Sequence, residues 1–301
     1  MKKENFGELI CVVNPLSGKL PLKKKINLIK STIQDKNLRI VIPNSPEESS
    51  RVSYEEMKNE NLVIACGGDG LQNLVAEQAV KIGGSMIPFP MGRGNDFASS
   101  LGIHNHKDVK IALTSGEFHK SRYVIAEFDQ HKKICLTCTG VGLLSEAAFR
   151  ASKIPILKGS LLYAVATLLS FFKLQNHGYK ISSEENIVDG SFLIIAGAAS
   201  PYTGGGMFIA PDAFKESNMV NLLSATKVSR MQAIKLLIQV FSGKHINNVN
   251  VSNTHIDKFK IDSHSSHPWA KLVYGDGEYL GDLPVKISVG QKPLNVLVPN
   301  I

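Results

Sequence analysis

The chain has 301 residues, 43% hydrophobic and 20% charged, which is room for two domains with separate cores and excludes disordered, collagenous and coiled-coil classes. A net charge of +8 points to acidic partners: nucleotides, an anionic membrane surface or nucleic acid. The aromatic content of 7% is not interleaved with the basic residues, and no helix-turn-helix, finger or RNA-binding signature appears, so nucleic acid is not expected.

Met1-Lys2-Lys3-Glu4-Asn5 lacks the apolar core of a signal peptide, and the most apolar helix candidate, Ser160 to Phe172, is too short to span a bilayer. The expected location is cytoplasmic, at most peripheral at a membrane. Cys11, Cys66, Cys135 and Cys138 are expected as buried reduced thiols. The CxxC pair falls in a strand pattern, and no second pair follows at zinc spacing.

In chain order, Leu9 to Val13 reads as a buried strand running into Asn14-Pro15-Leu16-Ser17-Gly18. Asn14 and Ser17 offer short polar groups and Gly18 offers backbone access, at the strand end where open α/β sheets hold ligands. A helix over 21–34 has Leu22, Ile26, Ile29 and Ile33 on one face, with Lys23, Lys24, Lys25 and Lys30 read as a solvated face, an anionic-lipid contact being the alternative. A strand at Leu38 to Ile42 and a helix around Glu47 to Lys58 lead to a third strand, Leu62 to Cys66.

That strand enters Gly67-Gly68-Asp69-Gly70-Leu71-Gln72-Asn73, where the glycines sit between a strand and a helix. Such a turn admits positive φ and close backbone approach, and the helix start favours an anion such as phosphate. A carboxylate there would repel phosphate, so Asp69 points to a cation or to proton handling, or else to a helix N-cap. The strand Met86 to Pro90 enters a second glycine-rich turn, Gly92-Arg93-Gly94-Asn95-Asp96. Arg93 can fork onto phosphate oxygens, Asn95 or Asp96 can cap the next helix, and Asp96 can join a metal network. Alternation of β and α with short links predicts a doubly wound parallel sheet over residues 1–122.

From about Lys120 the pattern changes. Strands are expected at 123–128, 133–138, 179–181, 191–197, 220–224, 256–261, 269–274, 283–289 and 294–298, with Gly140-Val141-Gly142 opening a helical region to about Leu174 and a helix at Arg230 to Phe241. Residues 123–301 therefore read as a mostly antiparallel β-rich domain, and the cleft between the halves is the default site. In Tyr274-Gly275-Asp276-Gly277-Glu278, Asp-Gly signals a type I′ hairpin; the alternative is a carboxylate pair serving as a general base.

Asn14-Pro15-Leu16-Ser17-Gly18, Gly67-Gly68-Asp69-Gly70, Gly92 to Ala98 and Asp276-Gly277-Glu278 together resemble, in order and spacing, the diacylglycerol kinase catalytic-domain family of bacterial two-domain lipid kinases and sphingosine kinases. The resemblance runs from Val12 to about Val298 and includes the Gly204 to Ala213 loop. It implies an α/β domain of the NAD kinase and lipid kinase type, a β-rich lipid-substrate domain, and ATP with Mg2+. By carry-over, Asn14, Pro15, Ser17 and Gly18 line the nucleotide. Gly67 to Asn73, with Arg93, Gly94 and Asn95, surround the phosphates. Glu278 matches the proton acceptor, with Asp276 beside it in a network with Asp69 and Asp96, the carboxylates for the metal. Leu71 and Arg93 stand where threonine is usual, and Ser217 replaces an aspartate that holds a structural Mg2+.

The implied function is phosphoryl transfer from ATP to a lipid hydroxyl, most directly that of diacylglycerol, with peripheral contact to an anionic membrane. A sphingoid-base kinase, an NAD kinase-like enzyme and a non-catalytic nucleotide or lipid sensor are the alternatives. The oligomeric state, a homodimer included, is not legible.

Overall fold

The computed structural model describes residues 6–152, 176–215, 218–226 and 228–300. The expected helix Ser160 to Phe172 and the Ser217 position lie outside the described residues. The chain divides into one unit of residues 1–121 and 292–301 and a second of residues 122–291.

The first unit alternates strands and helices. They are β1 (Leu9–Val13), α1 (Leu22–Thr32), β2 (Leu38–Val41), α2 (Pro46–Lys58), β3 (Leu62–Gly67), α3 (Asp69–Ile82) and β4 (Ser85–Pro90). The short α4 (Asp96–Ser100), α5 (His106–Ser115) and β5 (Glu117–Ser121) follow. Every residue of β1 and β3 is buried, as expected of central strands covered on both faces. The sheet order is β2-β1-β3-β4-β17-β5, with β17 (Leu294–Val298) the last strand of the chain. Strands β2, β1, β3, β4 and β17 are parallel; β5 alone runs antiparallel.

Here the structure departs from the sequence reading twice. The sequence pattern groups the amphipathic run at 294–298 with the second half. Its register, Asn295 on Ser85 and Val296 on Met86, places it in the first sheet. Strand β5 was not anticipated, because Glu-Phe-His-Lys-Ser carries no alternating apolar pattern; pairing with β17 makes it a strand.

The second unit holds β6 (Val124–Glu127), β7 (Lys132–Cys135), β8 (Cys138–Gly142), α6 (Leu143–Ser152), β9 (His177–Ser182), β10 (Ile187–Ala198) and β11 (Val220–Thr226). It continues with α7 (Arg230–Val240), β12 (Val251–Ile256), β13 (Lys258–Ser263), β14 (Leu272–Gly275), β15 (Glu278–Asp282) and β16 (Val285–Val289). Its pairings are antiparallel, along the path β15-β14-β8-β10-β9-β13-β16-β6-β7, with β11 and β12 extending from β10. Strands from both ends of that path share one buried cluster, with Cys135 on β7 and Val273 on β14 beside Val141, Tyr179, Phe259 and Ile287, so the sheet closes over its own core. The expected strand at 133–138 is broken: β7 ends at Cys135 and β8 begins at Cys138, leaving Leu136-Thr137 as a corner. The 256–261 run is likewise two strands, β12 and β13.

Candidate active site

In the first unit three strand ends meet, because β1, β3 and β4 are parallel neighbours. The glycines of β3 and β4 are there for contact. A Cβ on Gly92 would stand 2.2 Å from the Gly68 Cα, and one on Gly18 would stand 2.2 Å from the Met91 carbonyl oxygen. All three turns therefore lie backbone against backbone. The N–H of Met91 donates to the Gly67 carbonyl at 2.9 Å and that of Asn14 to the Cys66 carbonyl at 3.1 Å.

Asp69 joins the two glycine turns. It is the first residue of α3, and Gly68, not Asp69, is the N-cap. Its carboxylate accepts the N–H of Asn95 at 2.8 Å and that of Phe97 at 3.4 Å. Asp69 is thus the cap of α4, supplied from another element. The Asn95 side chain does not cap its own helix. It holds the left-handed conformation at φ 57° and its Oδ1 accepts the Gly92 N–H at 2.9 Å. The first turn of α3 presents N–H groups that no preceding helical carbonyl can take. Gly70 and Arg93 are exposed beside it.

Leu71 offers the site only its backbone. Its side chain is buried, and a Cβ on Gly67 would lie 2.8 Å from it, so leucine packs beneath the turn where threonine would present a hydroxyl. Gln72 is fully buried and donates to the Gly67 carbonyl. Asp96 is buried and Asn73 half-buried.

Lys25 was missed. The run of lysines predicts a solvated side chain, yet that of Lys25 is wholly buried. Its Nζ donates to the Asn14 and Pro15 carbonyls, both at 2.9 Å, and to Ser17 Oγ at 3.2 Å. Burial lowers its pKa. The signal was present, since Lys25 lies four residues before Ile29 on the apolar face of α1. Lys23, Lys24 and Lys30 are exposed as expected.

In the second unit Asp276 and Gly277 both have positive φ, 50° and 83°, between the paired Gly275 and Glu278. That is the type I′ hairpin the dipeptide predicts. The Asp276 side chain also reaches the corner between β7 and β8. It accepts the Leu136 N–H at 2.6 Å, the Thr137 N–H at 3.0 Å and the Thr137 hydroxyl at 2.6 Å, so it positions the loop rather than standing ready as a base. Glu278 is exposed, and its side chain makes no hydrogen bond or ion pair with the described residues. Thr137 Oγ1 lies 3.2 Å from Thr203 Oγ1, which connects the hairpin to Gly204-Gly205-Gly206, each at positive φ. The four cysteines are free and buried as expected, and burial pushes the Cys135 thiol up.

The glycine-lined cradle fits nucleotide phosphates, which need N–H groups and no side chains. For a cation, no cluster of three or more His, Cys, Asp or Glu exists among the described residues. Asp69 and Asp96 offer two carboxylates at most, which suits a Mg2+ that arrives with the phosphates. Where the resemblance implies a second, structural metal, the Asp212 carboxylate is taken by the Asn253 amide at 3.0 Å and the Lys215 ammonium at 2.7 Å.

A parallel α/β unit with apposed glycine turns, joined in one chain to an antiparallel β-rich unit, is the architecture the sequence resemblance implies. The diacylglycerol kinase catalytic domain matches residues 8–125, and the YegS C-terminal NAD kinase beta sandwich-like domain matches residues 137–298. The chain belongs to the diacylglycerol kinase catalytic-domain family. A Mycobacterium tuberculosis diacylglycerol kinase is 24% identical across 99% of this chain and 97% of its own. One from Bacillus subtilis is 22% identical across 96% and 95%. A crystal structure of a Bacillus anthracis diacylglycerol kinase has the same fold, with a TM-score of 0.72 at 15% identity over 97% of each chain. These relatives support a lipid kinase at the level of activity class.

Proposed function

We propose that the protein is an ATP-dependent lipid kinase that moves the γ-phosphate of ATP to a lipid hydroxyl, with diacylglycerol the first acceptor to test. The observation that carries this reading is the direct contact of the Gly68 and Gly92 turns with Asp69 tying them together. It leaves a backbone-lined cradle at the start of α3, suited to a polyphosphate. Asn14, Pro15, Ser17 and Gly18 hold the nucleotide beside it. Arg93 is exposed on the second turn and balances phosphate charge.

In the proposed step the lipid oxygen forms a bond to the γ-phosphorus, the bond to the ADP oxygen breaks, and the hydroxyl proton passes to Glu278. Asp276 fixes the loop that carries Glu278. Mg2+, when bound with the phosphates, would neutralise their charge, with Asp69 and Asp96 the carboxylates that would hold it. Substrates of this kind sit in membranes, so the enzyme works at an anionic bilayer surface.

The test is transfer of labelled γ-phosphate from ATP-Mg2+ to diacylglycerol, monoacylglycerol and a sphingoid base in mixed micelles, and to NAD. Label in the lipid phase, lowered on the order of a hundredfold or more in Glu278→Gln, is the expected result. Label on NAD alone would overturn the lipid assignment. ATP binding without transfer to any acceptor would overturn the catalytic one.

A further inference from the structure

Helix α7 is apolar on two sides. A Ser229–Gln232 capping box fixes its start. Its inner side, with Ala233, Leu236 and Val240, is buried in the second unit. Its outer side should be polar in a solvated helix. It instead exposes Met231 (76%), Ile234 (38%), Ile238 (71%) and Phe241 (52%). These four recur at intervals of three, four and three residues, which makes one continuous stripe. In the same unit, Val249 is 98% exposed and Phe214 is 48% exposed.

Charge separates the partners this face could take. Residues 217–256 contain no Asp or Glu, although the chain holds 26. The same stretch carries Lys227, Arg230, Lys235 and Lys244. At about 100° per residue, Arg230 and Lys235 border the stripe on opposite sides. A second copy of the chain, packed by a two-fold axis on this face, would bring like cations together with no carboxylate within residues 217–256 to pair them. An anionic bilayer supplies apolar depth for the stripe and negative charge for its borders.

We infer that α7 is a membrane-docking helix that lays Met231, Ile234, Ile238 and Phe241 into the surface of an anionic bilayer. On α1, by contrast, the exposed Lys23, Lys24 and Lys30 lack an exposed apolar companion stripe on the same helix. The inference rests on the surface alone and is tested without nucleotide or phosphate transfer, so it stands or falls apart from the kinase reading.

The experiment is co-sedimentation of the full chain with vesicles of equal parts phosphatidylglycerol and phosphatidylcholine, and with phosphatidylcholine alone. Binding to the anionic vesicles that weakens with salt is expected. The Ile238→Ser/Phe241→Ser double variant should lower partitioning about tenfold or more, and Lys235→Gln about fivefold. All these side chains are exposed, so melting temperature and ATP affinity should stay at wild-type values. A Lys23→Gln/Lys24→Gln variant should bind nearly as well as wild type. No vesicle binding by wild type, or equal binding by the α7 variants, overturns the proposal. So does a wild-type dimer that the double variant converts to monomer, since a second copy would then cover the face.

Discussion

Replacing Lys25 by methionine keeps an unbranched apolar stem of similar reach and removes only the ammonium. The Asn14 carbonyl keeps the Ser17 hydroxyl at 3.1 Å, whereas the Pro15 carbonyl loses the Lys25 donor at 2.9 Å. Each hydrogen bond from a charged donor contributes about 1.5–3 kcal/mol, but a buried charge without a carboxylate partner among the described residues costs several kcal/mol to desolvate. The two largely offset, so the fold should lose only about 1–2 kcal/mol. The Asn14–Gly18 loop loses its anchor and the nucleotide site loses a positive charge. ATP should therefore bind about ten- to a hundredfold more weakly, with a smaller loss for adenosine. Titration calorimetry with both ligands reads this directly. The pH dependence supplies a second readout. Burial lowers the Lys25 pKa from 10.5, so between its lowered value and 10.5 the unfolded chain binds more protons than the folded one. Wild-type stability relative to Lys25→Met should therefore rise as pH rises through that window. Wild-type ATP affinity in Lys25→Met would refute the reasoning, because the loop would then not be holding the nucleotide.

Four further outcomes are expected. Gly92→Ala forces its new Cβ against the Gly68 Cα, and should cost about 2–4 kcal/mol in a denaturant melt and abolish ATP binding. Gly83→Ala, left-handed but with open space around its Cβ, should cost about 1 kcal/mol and leave ATP binding intact. Asp276→Asn puts an amide where Leu136 and Thr137 donate, leaving one N–H unmatched. It should cost about 1–3 kcal/mol and lower kcat in steady-state assays, with the KM for ATP unchanged. Burial lowers the pKa of His245, whose Nε2 donates to the Ile209 carbonyl, and of His177, where His267 adds to the shift. The unfolded chain takes up their protons first as pH falls below 6.5, so stability should drop there. Urea melts of wild type and His245→Gln, compared at about pH 7 and 5.5, should show a shallower loss in the variant.

The local patterns were legible because they are short-range. Buried runs such as Ile10-Cys11-Val12 and Val63-Ile64-Ala65 announce central strands, and glycines at their ends announce turns with bare backbone. Asp276-Gly277 announces its own hairpin, because both residues tolerate positive φ. The succession of these signals was enough to anticipate two units, the glycine turns of the first and the carboxylate hairpin of the second.

Tertiary structure decided the pairings between residues far apart in sequence. Asp69 could be read as a cap for its own helix; only the apposition of β3 and β4 gives it to α4, across 26 residues. Asp276 could be read as a base, until the β7–β8 corner, 140 residues away, brought two N–H groups and a hydroxyl to it. Lys25 looked like one lysine in a solvated run, and the folded Asn14–Ser17 loop buried it. Strand β17 looked like a continuation of the second unit, and its hydrogen-bond ladder returned it to the first. Periodicity and turn chemistry are properties of a few consecutive residues, so the sequence states them outright. The partner of a carboxylate, an ammonium or a strand edge exists only once distant segments pack, and in this protein that packing determines which polar groups are spent on structure and which are left for a ligand.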